Sequence, residues 1–129
     1  MIKTGIPHAS LLFIDIETIT AAHKIYDLPV TLAVAWQYIC ETRYKDEKDE
    51  KGNPLDPGLL FQKYAALYPE FGKICCISLG HFTNQTDFVV QAFCDVNERK
   101  LLCAVSDEIT KLSSSHKVLA GHNLKQFDV

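Results

Sequence analysis

Apolar residues fill positions 11–19 on both alternating faces of the chain, until Asp15 and Glu17 interrupt one of them. A run this rich in Leu, Ile and Phe reads as a strand. Being apolar on both faces, it is expected to lie centrally in a sheet covered on both sides. Residues 21–28 read as a connector. From Pro29 the period changes: Leu32, Trp36, Ile39 and Arg43 recur at helical spacing, with the proline where a first turn tolerates it. The β-branched Val30, Thr31 and Val34 work against that helix. Residues 41–51 then alternate in charge and run into Gly52-Asn53-Pro54, which predicts a solvated helix end followed by a mobile loop.

Asp56-Pro57 supplies a cap and a first-turn proline, so a short helix is predicted over 57–67 with Leu60, Tyr64 and Leu67 buried. Tyr68-Pro69 ends it. Residues 74–79 form a predicted strand ending at Gly80, and 87–93 another, joined by a loop short enough for a hairpin. Asp95 with Glu98 resembles a capping box, and Leu101, Leu102, Val105, Ile109 and Leu112 form a helical stripe that breaks at Ser113 to Ser115. A short strand over 117–120, a turn at Gly121 and a helix starting at Asn123 complete the order. The alternation predicts one domain with a mixed α/β sheet, and any parallel crossover in it is expected to be right-handed.

Length and composition narrow the picture only a little. A chain of 129 residues suits one core, and its apolar and charged fractions are those of an ordinary globular protein. No apolar run reaches the length of a membrane span, and the apolar stretch near the N-terminus carries two carboxylates that a signal peptide would not tolerate. No membrane partner and a cytoplasmic location are therefore expected. Five cysteines without C-x-x-C spacing predict mostly buried free thiols rather than a disulfide framework or zinc knuckle. The net charge of −3 speaks against a broad basic surface for duplex nucleic acid, but not against phosphate contacts made through cations.

Two features carry candidate chemistry. Asp15 and Glu17, two apart on a strand, point to the same face. Two carboxylates there repel, and a divalent cation is the usual remedy; the alternative is that both are simply solvated at the strand's end. The second feature is residues 121–128, where a strand, a glycine turn and a helix start place Asn123 and Asp128 at the sheet edge that binds ligands in open α/β folds. The alternative there is a helix cap and a surface aspartate.

Taken together, the two features resemble the DEDD (DnaQ-like) 3'–5' exonucleases, and within them stand-alone domains related to the proofreading domain of family B DNA polymerases. Asp15-Ile16-Glu17-Thr18 matches the first motif, D-x-E-T, and residues 123–128 match the second, N-x-x-x-F-D. The intervening run 65–78 is similar to the segment leading into the second strand of these domains. The resemblance implies a ribonuclease H-like mixed sheet, with strands 1–3 antiparallel, strand 4 parallel and helices flanking it. It implies two divalent cations, Mg²⁺ or Mn²⁺, hydrolysing phosphodiesters at the 3' end of single-stranded nucleic acid. Asp15, Glu17 and Asp128 would be the catalytic metal ligands, with Asp15 bridging both ions. Thr18, Asn123 and Phe127 would meet the substrate or order the second motif.

The family's third motif, with its fourth carboxylate, has no counterpart in residues 1–129. The expectation is an incomplete exonuclease domain that binds cations weakly and cleaves little, and that self-associates through an uncovered sheet face. An RNA-trimming exoribonuclease and a catalytically silent nucleic-acid-binding domain are the competing readings. A dinucleotide-binding fold is disfavoured by the lack of G-x-G-x-x-G.

Overall fold

The long apolar run near the N-terminus forms strand β1, Leu11–Thr20. The computed structural model describes residues 5–116 and 118–122. After β1 come helices α1 (Val30–Arg43) and α2 (Pro57–Tyr64), then strands β2 (Gly72–Phe82) and β3 (Phe88–Cys94), helix α3 (Glu98–Leu112) and strand β4 (Val118–Ala120). The sheet order is β3-β2-β1-β4, which makes β1 an inner strand. β2 and β3 form an antiparallel hairpin in which Cys76 faces Cys94 and Phe82 faces Phe88. β4 runs parallel to β1, with Leu11 beside Val118. The result is a mixed α/β sheet with three antiparallel strands and one parallel strand. Among the described residues no helix is long and apolar enough to cross a membrane.

The chain divides into two units, one of residues 1–17 with 74–129 and the other of residues 18–73. In the first, alternation along β1 and β2 sends Leu12, Ile77 and Leu79 to the face where α3 lays Leu101 and Val105, and all five are buried. Each such side chain contributes about 1.5–3 kcal/mol of burial. Asp15 and Glu17 stand on the opposite face and are exposed, as are Phe88 and Val90 of β3. The expectation of a strand covered on both sides is thus corrected at these positions, where the carboxylates retain their water.

The second unit packs around Trp36, which is fully buried with Cys40, Leu60, Phe61, Ala65 and Phe71. Phe61, Tyr68 and Phe71 meet the indole edge-on at ring separations of 5.4, 5.8 and 5.2 Å. Its Nε1 donates to the Pro57 carbonyl at 2.9 Å, so the one polar atom of the ring is satisfied. Pro29 is the N-cap of α1 rather than a first-turn residue. Asp56 caps α2 as predicted, accepting from the backbone N–H groups of Gly58 and Leu59. The helix gives way at Ala65 to a 3₁₀ turn, and this tightening carries Leu67 to the surface at 56 % exposure while Phe61 and Ala65 take the interior. The segment predicted as a loop after α1 is closed by a bridge between Lys48 and Pro54 and by the Asp49 carboxylate, which accepts from the backbone N–H groups of Lys51 and Asn53.

Three further expectations change in the first unit. β2 runs through Gly80 instead of stopping there, because the Phe88 ring lies across the glycine, where an added Cβ would sit 2.5 Å from its Cζ. The cap of α3 is Asn97, whose side chain accepts from Lys100 N at 3.1 Å. The Glu98 carboxylate turns instead to the Ile74 backbone N–H at 2.7 Å, joining the helix start to β2. Finally, Cys76 and Cys94 form a disulfide. Directly opposed positions of an antiparallel pair bring two Cβ atoms within about 4.5–5.5 Å, a proximity that sequence spacing does not reveal. Cys40 is a buried free thiol as expected, whereas Cys103 is exposed.

Candidate functional site

The strand pleat decides which β1 side chains can act together. Phe13, Asp15 and Glu17 alternate onto the face away from α3, while Ile14 and Ile16 turn inward against the aliphatic core. Both carboxylates are exposed, and among the described residues neither has a hydrogen-bond or ion-pair partner for its side chain. Two like charges on adjacent same-face positions of one strand create a local negative field that is screened only by water and salt.

The backbone beneath them is held firmly. β1 is an inner strand between β2 and β4, with β4 paired to it over Leu11 to Phe13, and the Cys75 thiol donates to the Glu17 carbonyl at 3.4 Å. Thr18 alternates to the other side of the strand. Its hydroxyl donates to the Ala66 carbonyl at 2.7 Å, which ties Thr18 to the turn following α2. That bond occupies the side chain's donor.

Beside Asp15 lies a shallow cleft of about 280 Å³ lined by Phe13, Asp15, Ser78, Gly80, Phe88 and His122, among others. Its floor exists because Gly80 has no side chain, which lets Phe88 fold across β2 toward Phe13. The two rings meet edge-to-face with centroids 5.5 Å apart, and Phe82 and His8 extend the aromatic surface at separations of 4.9 and 5.6 Å. The cleft therefore joins an apolar aromatic wall to the Asp15 carboxylate and the His122 imidazole. Sequence reasoning did not single out Phe13 or Phe88. Phe13 could have been found two residues before Asp15 on the same face, but Phe88 becomes a neighbour only through the hairpin register.

Asn123, Phe127 and Asp128, the second half of the predicted site, lie outside the described residues. Gly121 and His122, which lead into them, line the cleft that also contains Asp15. Among the described residues no group of three or more His, Cys, Asp or Glu side chains comes together as a metal cage. Compared with known proteins, the chain matches no family model, no curated protein and no solved structure.

Proposed function

We propose that this chain carries the catalytic acidic pair of a metal-dependent 3'–5' exonuclease of ribonuclease H-like fold, acting on the 3' end of single-stranded nucleic acid, with DNA the first choice of substrate. The observation that carries the reading is the exposed, unneutralised pair Asp15 and Glu17 on an inner strand. An inner strand is the least mobile place in a sheet, so its side chains can hold a charge at a fixed position. The strand order, with a parallel β4 beside β1, is compatible with that fold.

The residues present fit the cations the reading requires. Two hard oxygen donors on one face, free of lysine or arginine partners among the described residues, match what Mg²⁺ or Mn²⁺ prefers, and the remaining positions are open to water and phosphate oxygens. Asp15 would hold both ions and Glu17 the first, with Asp128 serving the second. Bound there, the cations would supply an activated water and stabilise the leaving oxygen. The carboxylates themselves move no proton; they set where positive charge sits. The aromatic wall of Phe13 and Phe88 offers a base a surface next to that charge, and stacking on such a wall is tolerant of sequence. Asn123, Phe127 and the Thr18 backbone would complete the contacts with the terminal nucleotide.

Calorimetric titration with Mn²⁺ tests the reading. Saturable binding is expected in the wild type and its loss in Asp15→Ala and Glu17→Ala. Binding that is unchanged in Asp15→Ala would sink it. Matched single-stranded DNA and RNA oligonucleotides labelled at the 5' end then separate a deoxyribonuclease from an exoribonuclease. Any trimming should vanish with EDTA and with Asp15→Ala. The competing reading is a silent nucleic-acid-binding domain. It predicts oligonucleotide binding that is independent of Mn²⁺.

A further inference from the structure

A second cluster of possible metal ligands sits on the other face of the sheet. His81 lies near the end of β2, in phase with the inward-facing Ile77 and Leu79. His116 follows α3, where its backbone N–H donates to the Leu112 carbonyl at 2.8 Å and fixes the residue before the chain enters β4. The two rings come together with centroids 4.7 Å apart and planes tilted by 55°. His116 is 9 % exposed, and among the described residues its Nδ1 is buried without a hydrogen-bond partner.

Each observation restricts what the pair can be. A tilt of 55° is not a parallel stack, and no hydrogen bond joins the rings. A buried imidazole nitrogen left without a partner loses its hydration uncompensated, so a group that satisfies it is strongly favoured. Two imidazoles sharing one ion, with metal–nitrogen distances of about 2.0–2.1 Å, place their ring centres roughly 4.5–5 Å apart for right-angled to tetrahedral coordination. The observed separation falls in that interval.

We propose that His81 and His116 form a two-histidine site for a divalent transition ion of the zinc, nickel or copper kind, with water completing the coordination. An imidazole-only donor set selects these ions over Mg²⁺ and Ca²⁺, which take oxygen ligands. The site is therefore distinct in chemistry and in position from the Asp15 and Glu17 pair. It ties the end of β2 to the connection between α3 and β4, so occupancy should also resist local opening of that connection.

Titration with Ni²⁺ tests this on the whole chain. One equivalent is expected to bind, with affinity falling at least about tenfold in His81→Gln and in His116→Gln. Binding should be unchanged in Asp15→Ala, and equally so in His8→Gln and His23→Gln, which alter exposed histidines. Because His116 is buried and its variant could unfold, the ring resonances of both histidines are also followed in the wild type. Selective broadening of the His81 and His116 signals by substoichiometric Ni²⁺ is the expected result. Unchanged affinity in His81→Gln, broadening confined to other histidines, or no binding below millimolar Ni²⁺ would each overturn the assignment. Loss of Mn²⁺ binding in Asp15→Ala with Ni²⁺ binding intact separates this site from the exonuclease reading.

Discussion

The two units of this chain solve the problem of burial in different ways. Residues 18–73 close around one tryptophan, with aromatic rings meeting edge-on and the indole nitrogen hydrogen-bonded. The unit of residues 1–17 and 74–129 buries aliphatic side chains between α3 and one face of the sheet, and presents carboxylates, a disulfide and an aromatic cleft on the other. An aromatic cluster satisfied on all sides has little left with which to bind anything. A sheet packed on one face keeps a rigid platform with unsatisfied charge. The candidate chemistry stands on the second kind of architecture, where exposed charge and rigid support coexist.

The largest expected effect tests whether the two cores are separate. Trp36→Ala should cost about 3–5 kcal/mol, since it removes the ring against which Tyr44, Phe61, Tyr68 and Phe71 all pack. Leu101→Ala should cost about 2–5 kcal/mol in the aliphatic core. Hydrogen exchange read by peptide mass is the decisive measurement. Trp36→Ala should release protection in α1 and α2 while β2, β3 and α3 keep theirs, and Leu101→Ala should do the reverse. Equal loss across both units in either variant would show one cooperative core and end the comparison.

A smaller effect is expected where the open face is built. Gly80→Ala forces a Cβ to within 2.5 Å of the Phe88 ring, so the ring must leave the cleft or the strands must part. Overpacking of this kind costs about 1–3 kcal/mol, measured by urea unfolding. Phe88→Leu in the same chain should recover part of the loss, whereas full additivity of the two changes would deny that they touch.

The fold was legible where one physical signal dominated. β1, α1, the hairpin and α3 each follow from a period of apolar residues, and Asp56 at α2 follows from cap chemistry. What could not be read depends on register or on relations across strands. Cys76 and Cys94 pair only because the hairpin sets them opposite each other, and Gly80 continues a strand only because Phe88 covers it. Asn97 displaced Asp95 as the cap because the Asp95 carboxylate accepts from the Asn97 backbone N–H at 2.8 Å, a turn one step earlier than the helix. Half of the candidate site was legible in the same sense. The shared face of Asp15 and Glu17 needs only the strand period, whereas the aromatic wall beside them needs three strands in register.

Alkaline pH sharpens the comparison from the aromatic side. Burial, reinforced by the 2.8 Å hydrogen bond to Tyr68, holds the Tyr44 phenol well above the ordinary tyrosine range. In the unfolded chain the same group ionises near pH 10. The folded state therefore binds more protons than the unfolded one above about pH 10, and stability must fall as pH rises through that window. Tyr44→Phe should lose about 0.5–1.5 kcal/mol at neutral pH and show a shallower alkaline decline. An identical slope in wild type and variant would mean that the phenol is not held in its protonated form.

The smallest expected effect is the most informative about the open face. Asp15 and Glu17 are exposed and, among the described residues, unpaired, so Asn and Gln in their places should change stability by no more than about 0.5 kcal/mol without divalent ions. The sign should favour the variants, because a like-charge repulsion is removed. Mn²⁺ should then reverse the order, since an ion that binds only the folded wild type stabilises it by an amount that grows with the logarithm of its concentration relative to the dissociation constant, and leaves the variants untouched. Thermal unfolding with and without Mn²⁺ measures both signs in one experiment. A loss of 2 kcal/mol or more in the metal-free variants, on the order of a severed buried network, would make the carboxylates part of the scaffold. The open face would then be another packed surface, and the contrast between the two units would disappear.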